Sequence, residues 1–178
     1  MKLFILLFFL ILTSASLLAQ KVTDNSDTLI TIVKEKYSFR YPKTWTIDTS
    51  KMFGMDVLLR SPKTDTLDDF AENMNIFVQD LHGQNYNLLR MGQESDGQIK
   101  KMVTDVDVID SRLDSTTSPQ HYILKYKGRQ GKYLLTTIQH YYFKDEVGYA
   151  LTMTIKEGKE NDYTQIADKI FDSFHFRQ

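Results

Sequence analysis

Two neighbouring stretches that are apolar on both of their faces constrain this chain more than anything else in it. Residues 121–126 (HYILKY) and 133–143 (YLLTTIQHYYF) flank Gly128-Arg-Gln-Gly131, and glycines at a short connection tolerate the positive φ that hairpin turns require. With Arg129-Gln130 as a two-residue turn, Tyr126 pairs with Tyr133 and Leu124 with Leu135. The other face then carries Ile123, Leu134, Ile138 and Tyr142. A sheet apolar on both sides needs cover on both, so the pattern predicts a three-layer helix–sheet–helix arrangement. The expected fold class is α+β, a central antiparallel β-sheet flanked by helices on both faces.

Further strands are expected at 28–33, 37–41, 45–48, 55–60, 73–79, 106–113 and 147–155. In the last, Val147, Tyr149, Leu151, Met153 and Ile155 share one face, the period of a strand. Pro42 ends the second because it cannot donate to a ladder. Residues 61–69 (SPKTDTLDD) read as a loop in which Asp68 or Asp69 could cap a helical turn. A first helix is expected over 85–103, with Leu88, Gly92, Ser95, Ile99, Met102 and Val103 on one side. Its small residues would let it lie close on a sheet, although each interior glycine costs about 1 kcal/mol relative to alanine. The final helix is the best defined: Tyr163, Ile166, Ala167, Ile170, Phe171 and Phe174 form an apolar stripe, and Asp162 with Gln165 resembles a capping box.

Ahead of all this, Met1-Lys2 precedes ten unbroken apolar residues, 3–12 (LFILLFFLIL), and then small residues. That order describes a secretory signal peptide over 1–20, cleaved after Ala19 or Gln20, with Ala15 a second candidate. A membrane span needs about 20 apolar residues, and this run stops at Thr13; an uncleaved anchor is the alternative. Residues 21–27 read as a flexible leader and 28–178 as a single domain, large enough to bury roughly 70 % of its unfolded surface. The sequence has no cysteine, which excludes disulfides, thiolate metal sites and a lipoprotein anchor. The chain is expected to be exported, periplasmic or secreted, with no stable membrane anchor after cleavage. Its 22 basic and 23 acidic residues balance without a basic stripe, so nucleic acid is not an expected partner.

Several residues together resemble the PsbP-like fold family, which includes Mog-type and DcrB-like members. They are Tyr37-Ser-Phe39-Arg-Tyr41-Pro42-Lys-Thr-Trp45 near the start and Ser173-Phe174-His-Phe176 at the end of the last helix, with a central helix and a long antiparallel meander between. Tyr37, Phe39, Tyr41, Pro42, Trp45, Phe174 and Phe176 read as a structural motif: Pro42 fixes a bend and Trp45 covers one end of the core. The resemblance implies a central antiparallel sheet flanked by helices, often in exported proteins and lipoproteins without known enzymatic activity. In that family plant PsbP proteins assist photosystem II and Mog-type members bind a small GTPase; no matched motif here carries either role across.

Candidate chemistry lies among the remaining polar residues. In the register above His140 stands opposite Pro119, making His121 its diagonal neighbour on the same face at about 7–8 Å. Two imidazoles so placed could share a metal, but zinc wants a third protein ligand, and none is evident. Asp105, Asp107 and Asp110 look superficially calcium-like, yet an EF-hand loop wants glycine and glutamate where Asp110 and Thr116 stand. Ser38, Ser95 and Ser118 lack a nucleophile-elbow setting, and neither a His-Glu-x-x-His nor a Walker motif occurs. No catalytic residue and no cofactor is expected. The reading is an exported non-catalytic accessory or binding protein that recognises another envelope or secreted protein. The alternatives are a small-ligand or metal carrier centred on His121 and His140, or a hydrolase whose carboxylates meet only in space.

Overall fold

In the computed structural model, which describes residues 28–177, the expected strand alternation and helical stripes resolve into ten strands and two helices among the described residues. The expected signal peptide (1–20) and leader (21–27) lie outside the described residues. Strands β1 (Leu29–Val33), β2 (Tyr37–Pro42), β3 (Thr46–Asp48), β4 (Val57–Arg60) and β5 (Asn73–Asp80) come first, with one 3-10 turn at Met52–Gly54 between β3 and β4. Helix α1 (Leu88–Met102) leads into β6 (Thr104–Asp114), β7 (His121–Gln130), β8 (Tyr133–Lys144) and β9 (Val147–Lys156). Helix α2 (Glu160–Asp172) and the short β10 (His175–Phe176) close the chain. The result is a mixed α+β fold with a large antiparallel sheet, ordered β3-β4-β5-β9-β8-β7-β6. A separate three-stranded sheet, β1-β2-β10, stands beside it.

Because successive side chains of a strand point opposite ways, β8 feeds two cores at once. Ile138 and Tyr142 pack with Tyr163, Ala167, Ile170 and Phe171 of α2 and with Tyr37, Phe39, Tyr41 and Trp45 of the small sheet and its exit. Tyr141, with Leu124 and Tyr126 of β7, packs instead with Met91 and Ile99 of α1. Strand β9 divides as expected: Val147, Tyr149, Leu151, Met153 and Ile155 join the α2 core and Ala150 joins the α1 core.

The hairpin register differs from the sequence expectation. The turn is Gly131-Lys132, so Gln130 pairs with Tyr133, Tyr126 with Thr137 and Leu124 with Gln139. Gly131 has φ 59 at the first central position, as a type II′ turn requires. Gly128 serves packing instead, since a Cβ there would come within 2.2 Å of Val103 Cγ1, where α1 passes into β6. The displacement is even, so every side chain keeps the face assigned to it.

Three local expectations also shift. Helix α1 starts at Leu88 with Asn87 as N-cap, its side chain accepting from the Arg90 N–H. It buries Met91, Gly92, Ser95 and Ile99, whereas Met102 is 65 % exposed. The capping box at Asp162 and Gln165 does not form, because Lys159 is the N-cap without a side-chain bond. Glu160, the first helical residue, instead ties down the preceding turn by accepting from the Gly158 N–H at 2.7 Å. Asp68 and Asp69 cap no helix: Asp68 closes a turn by accepting from the Thr64 and Phe70 N–H groups, and Asp69 meets Lys132 and Lys156.

Close approach of α1 to the sheet rests on Gly92, where a Cβ would stand 2.2 Å from the Tyr122 ring. Gly97 on the same helix has nothing within 4 Å of such a Cβ. Gly92→Ala is therefore expected to destabilise by about 1–3 kcal/mol through overpacking, despite its better helix propensity. Gly97→Ala should stabilise by up to about 1 kcal/mol. Urea unfolding of the two variants measures both, and equal effects would contradict the close contact at Gly92.

Candidate functional site

The His121–His140 region is the one place where the sequence suggested convergent chemistry, and the structure does bring the two together. His140 pairs with Ile123, so His121 is its diagonal neighbour on the side of the sheet that faces α2. The rings stack with centroids 4.4 Å apart and planes 19° from parallel. Phe171 of α2 lies on the other side of His140 at 4.0 Å and 12°. Three rings thus form a column in which α2 rests on the sheet through His140. Sequence pattern placed Phe171 on the helix stripe but offered no signal that its partner would be an imidazole.

The column is poorly suited to chelation. Imidazole lone pairs lie in the ring plane, so near-parallel rings aim them side by side rather than at one point. A zinc ion about 2.0–2.1 Å from both would require one ring to leave the stack. His121 Nδ1 is already within 3.1 Å of Thr117 Oγ1 and 3.3 Å of the Pro119 carbonyl. His140 Nδ1 is buried without a partner. Burial, and then the His121 ring beside it, push the His140 imidazole down to about 3, with Arg112 adding to this and Asp114 opposing it. Among the described residues no three His, Cys, Asp or Glu side chains gather as a metal would need.

The other candidates are dispersed. His82 is exposed and bonds Asp80, and His175 is exposed on β10. Asp105 and Asp110 pair with Arg129 and Arg112, and Asp107 is exposed, the solvated side of an edge strand. Ser95 donates to the Met91 carbonyl within α1. Asp69 binds Lys132 at 2.6 Å and Lys156 at 2.7 Å, which hold its carboxyl well below the usual carboxylate range. One buried acid escaped sequence reasoning: Glu72, 2 % exposed, whose carboxyl burial pushes up and which accepts from the Ser61 hydroxyl at 3.3 Å. Its neighbours along the chain, Ala71 and Asn73, carry no pattern that would have marked it.

The aromatic residues of the motif lie on the α2 side of the sheet. Tyr37, Phe39, Tyr41, Trp45 and Phe174 are buried in the α2 core, with Phe176 against it. Trp45 meets the Tyr163 ring at 6.1 Å, and its backbone N–H donates to the Pro42 carbonyl. Ser173 extends the short β10 edge by accepting from the Arg40 N–H at 2.7 Å.

Two measurements follow from this geometry. Ser173→Ala should cost about 1–3 kcal/mol, since it strands a partly buried amide, read by chemical denaturation. For His140, the unfolded chain takes a proton near 6.5 while the folded chain resists until about 3. Its contribution is thus present above pH 6.5 and lost as pH falls through that window. His140→Phe is expected to flatten the fall in thermal midpoint between pH 6.5 and 4; an unchanged slope would count against the stacked neutral imidazole.

No protein-family model matches the sequence, and no curated protein matches it. Solved structures do. Cyanobacterial PsbP (CyanoP) from Synechocystis sp. PCC 6803 superposes with a TM-score of 0.63 at 15% identity, covering 89% of this chain and 97% of its own. LpqN, involved in cell envelope biogenesis of Mycobacterium tuberculosis, gives 0.58 at 9%, over 86% and 88%. The Saccharomyces cerevisiae Ran-binding protein Mog1p gives 0.57 at 8%, over 83% and 95%. At such identities the likeness is one of fold, and it agrees with the aromatic motif: the chain has the PsbP-like, Mog-type fold.

Proposed function

We propose that residues 28–178 form a single exported, non-catalytic domain that works by recognising another envelope or secreted protein. In this reading α1, the large sheet, and α2 with the small sheet are three layers of a rigid scaffold. Loops and exposed faces of that scaffold engage the partner. The observation that carries the proposal is the fate of His121 and His140. The one pair of side chains placed for chemistry is stacked under α2, where it holds the scaffold together. The fold shared with Mog1p, a Ran-binding protein, and with LpqN, involved in cell envelope biogenesis, supports the same reading. So does the order of residues 1–20, a positive start, an apolar run and small residues. Among the described residues no helix is long and apolar enough to cross a membrane.

The test is affinity capture with a C-terminally tagged chain from envelope and culture fractions, after chemical crosslinking. One protein recovered in stoichiometric amount, and absent from a control with an unrelated exported domain, is the expected result. Recovery of none, together with measurable turnover of a substrate, would overturn the reading. N-terminal sequencing of the same product is expected to begin at Gln20 or Lys21; an intact Met1 would contradict export by cleavage.

A further inference from the structure

The seven-stranded sheet ends on one side at β3, three residues long, and on the other at β6, eleven residues long. Among the described residues β6 has a strand on one side only, β7. Its outer edge therefore presents a row of backbone N–H and C=O groups that no ladder uses. Native sheets shorten, cover or charge such an edge, because it is a template for another chain. Strand β3 is blunted by its shortness. Strand β6 is blunted only in part, by register shifts between Thr104 and Asp107 and between Val108 and Asp110. From Asp110 to Asp114 the pairing runs without a break, and no bulge protects that stretch of edge.

The two sides of this edge differ. Toward α1 it is apolar: Val106 and Val108 pack against the α1 core, and Leu113, the register partner of Tyr122, is 37 % exposed. The Tyr122 ring lies against Gly92 of α1. Leu89, three residues before Gly92, is 45 % exposed. With about 3.6 residues per turn, Leu89 is on the flank of Gly92 opposite to Met91. Met91 reaches Gly148 of β9, so Leu89 is on the flank toward β6. An apolar margin is thus left where α1 meets the edge. The reverse side is charged. Asp107 is the register partner of Lys127 and Asp110 of Lys125, and Asp105 binds Arg129 at 3.2 Å. A basic row on β7 therefore faces an acidic row on β6, which continues to Asp114 and is broken only by Arg112.

A strand laid along β6 meets the acidic row on one side and the Leu113 margin on the other. Opposite charges directly across a ladder stabilise it and like charges destabilise it, so basic residues continue the alternation that β7 and β6 begin. A second copy of β6 fits poorly, because it sets four aspartates and one arginine against the same set. We propose that the outer edge of β6 docks an extended segment of another protein, adding it to the sheet as a further strand. Alternate residues of that segment are apolar and face the α1 side; those between are lysine or arginine and face the aspartates. The inference rests on the reading of this domain as a protein-recognition scaffold and assigns that role to one edge.

The probe is a peptide of alternating valine and lysine, about ten residues long to match a strand, with a valine–glutamate peptide of the same length as control. Each is titrated into 15N-labelled protein produced from the complete reading frame, and amide hydrogen exchange is measured with and without it. Saturable binding of the lysine peptide is expected at or below about 1 mM, with exchange slowed severalfold at the β6 amides that do not bond β7. The glutamate peptide should bind at least tenfold more weakly. Asp107→Lys, at an exposed position, should narrow that preference at least threefold. Absence of binding up to about 10 mM, equal binding of the two peptides, or binding that leaves the β6 amides unprotected would each overturn the proposal. Protection of β6 that rises with protein concentration alone would assign the edge to a second copy, and would overturn it too. The probe is synthetic, so the edge is read whatever partner capture recovers, and either proposal can fail without the other.

Discussion

Phe174 stands where three parts of the chain meet, and its ring is within reach of four others. Tyr142 of β8 lies at 4.6 Å, Tyr37 of β2 at 5.4 Å, Phe176 of β10 at 5.4 Å and Tyr149 of β9 at 6.1 Å. Offset and edge-on aromatic pairs at such distances add to the burial of their large surfaces. This cluster is what joins the three-stranded sheet to the seven-stranded one, for the two share no ladder. The Ser173 bond to Arg40 then sets the direction in which the chain leaves α2. With this junction in place, α2 lies over the large sheet and the column of Phe171, His140 and His121 follows from its position.

The histidine column shows how the same residues can invite opposite readings. Spacing alone brings two imidazoles to one face of a hairpin, which is a fair start for a metal site. Orientation decides otherwise. Rings that stack face to face satisfy packing and leave their lone pairs unaligned, and a neutral imidazole between two rings is a serviceable flat hydrophobe. The cost is a group that resists its proton, which ties part of the stability of the α2 contact to pH.

The functional picture that emerges is of a scaffold with two unlike sides. Toward α2 the sheet is filled with aromatic and aliphatic side chains that meet one another. Toward α1 it is apolar where the helix lies and carries buried hydroxyl and amide side chains, Thr137 and Gln139 among them, beyond it. Gly92 and Gly128 bring the helix and its exit close to β7, which confines α1 to one half of that side.

Much of the fold was legible from sequence because it rests on periodicity. The alternation of β9 and the stripe of α2 are local properties, and the need to cover both faces of β7 and β8 follows from them. The resemblance carried by Tyr37 to Trp45 and Ser173 to Phe176 was legible for the same reason, since a strand ended by proline and closed by an aromatic has few other uses. The hairpin register lies two residues per strand from its sequence expectation because two glycines compete for the turn, and only the passage of Val103 over Gly128 decides between them. The faces survive that difference since pleating has a period of two. What sequence could not reach was anything that depends on which surfaces meet: the separation of β1-β2-β10 into its own sheet, the stacking of His140 on Phe171, and the burial of Glu72, Thr137 and Gln139. Those residues lie far apart along the chain, and polar ones carry no periodic signal of burial. Local pattern determined the elements and their faces; the tertiary structure alone decided which polar groups would be buried among them.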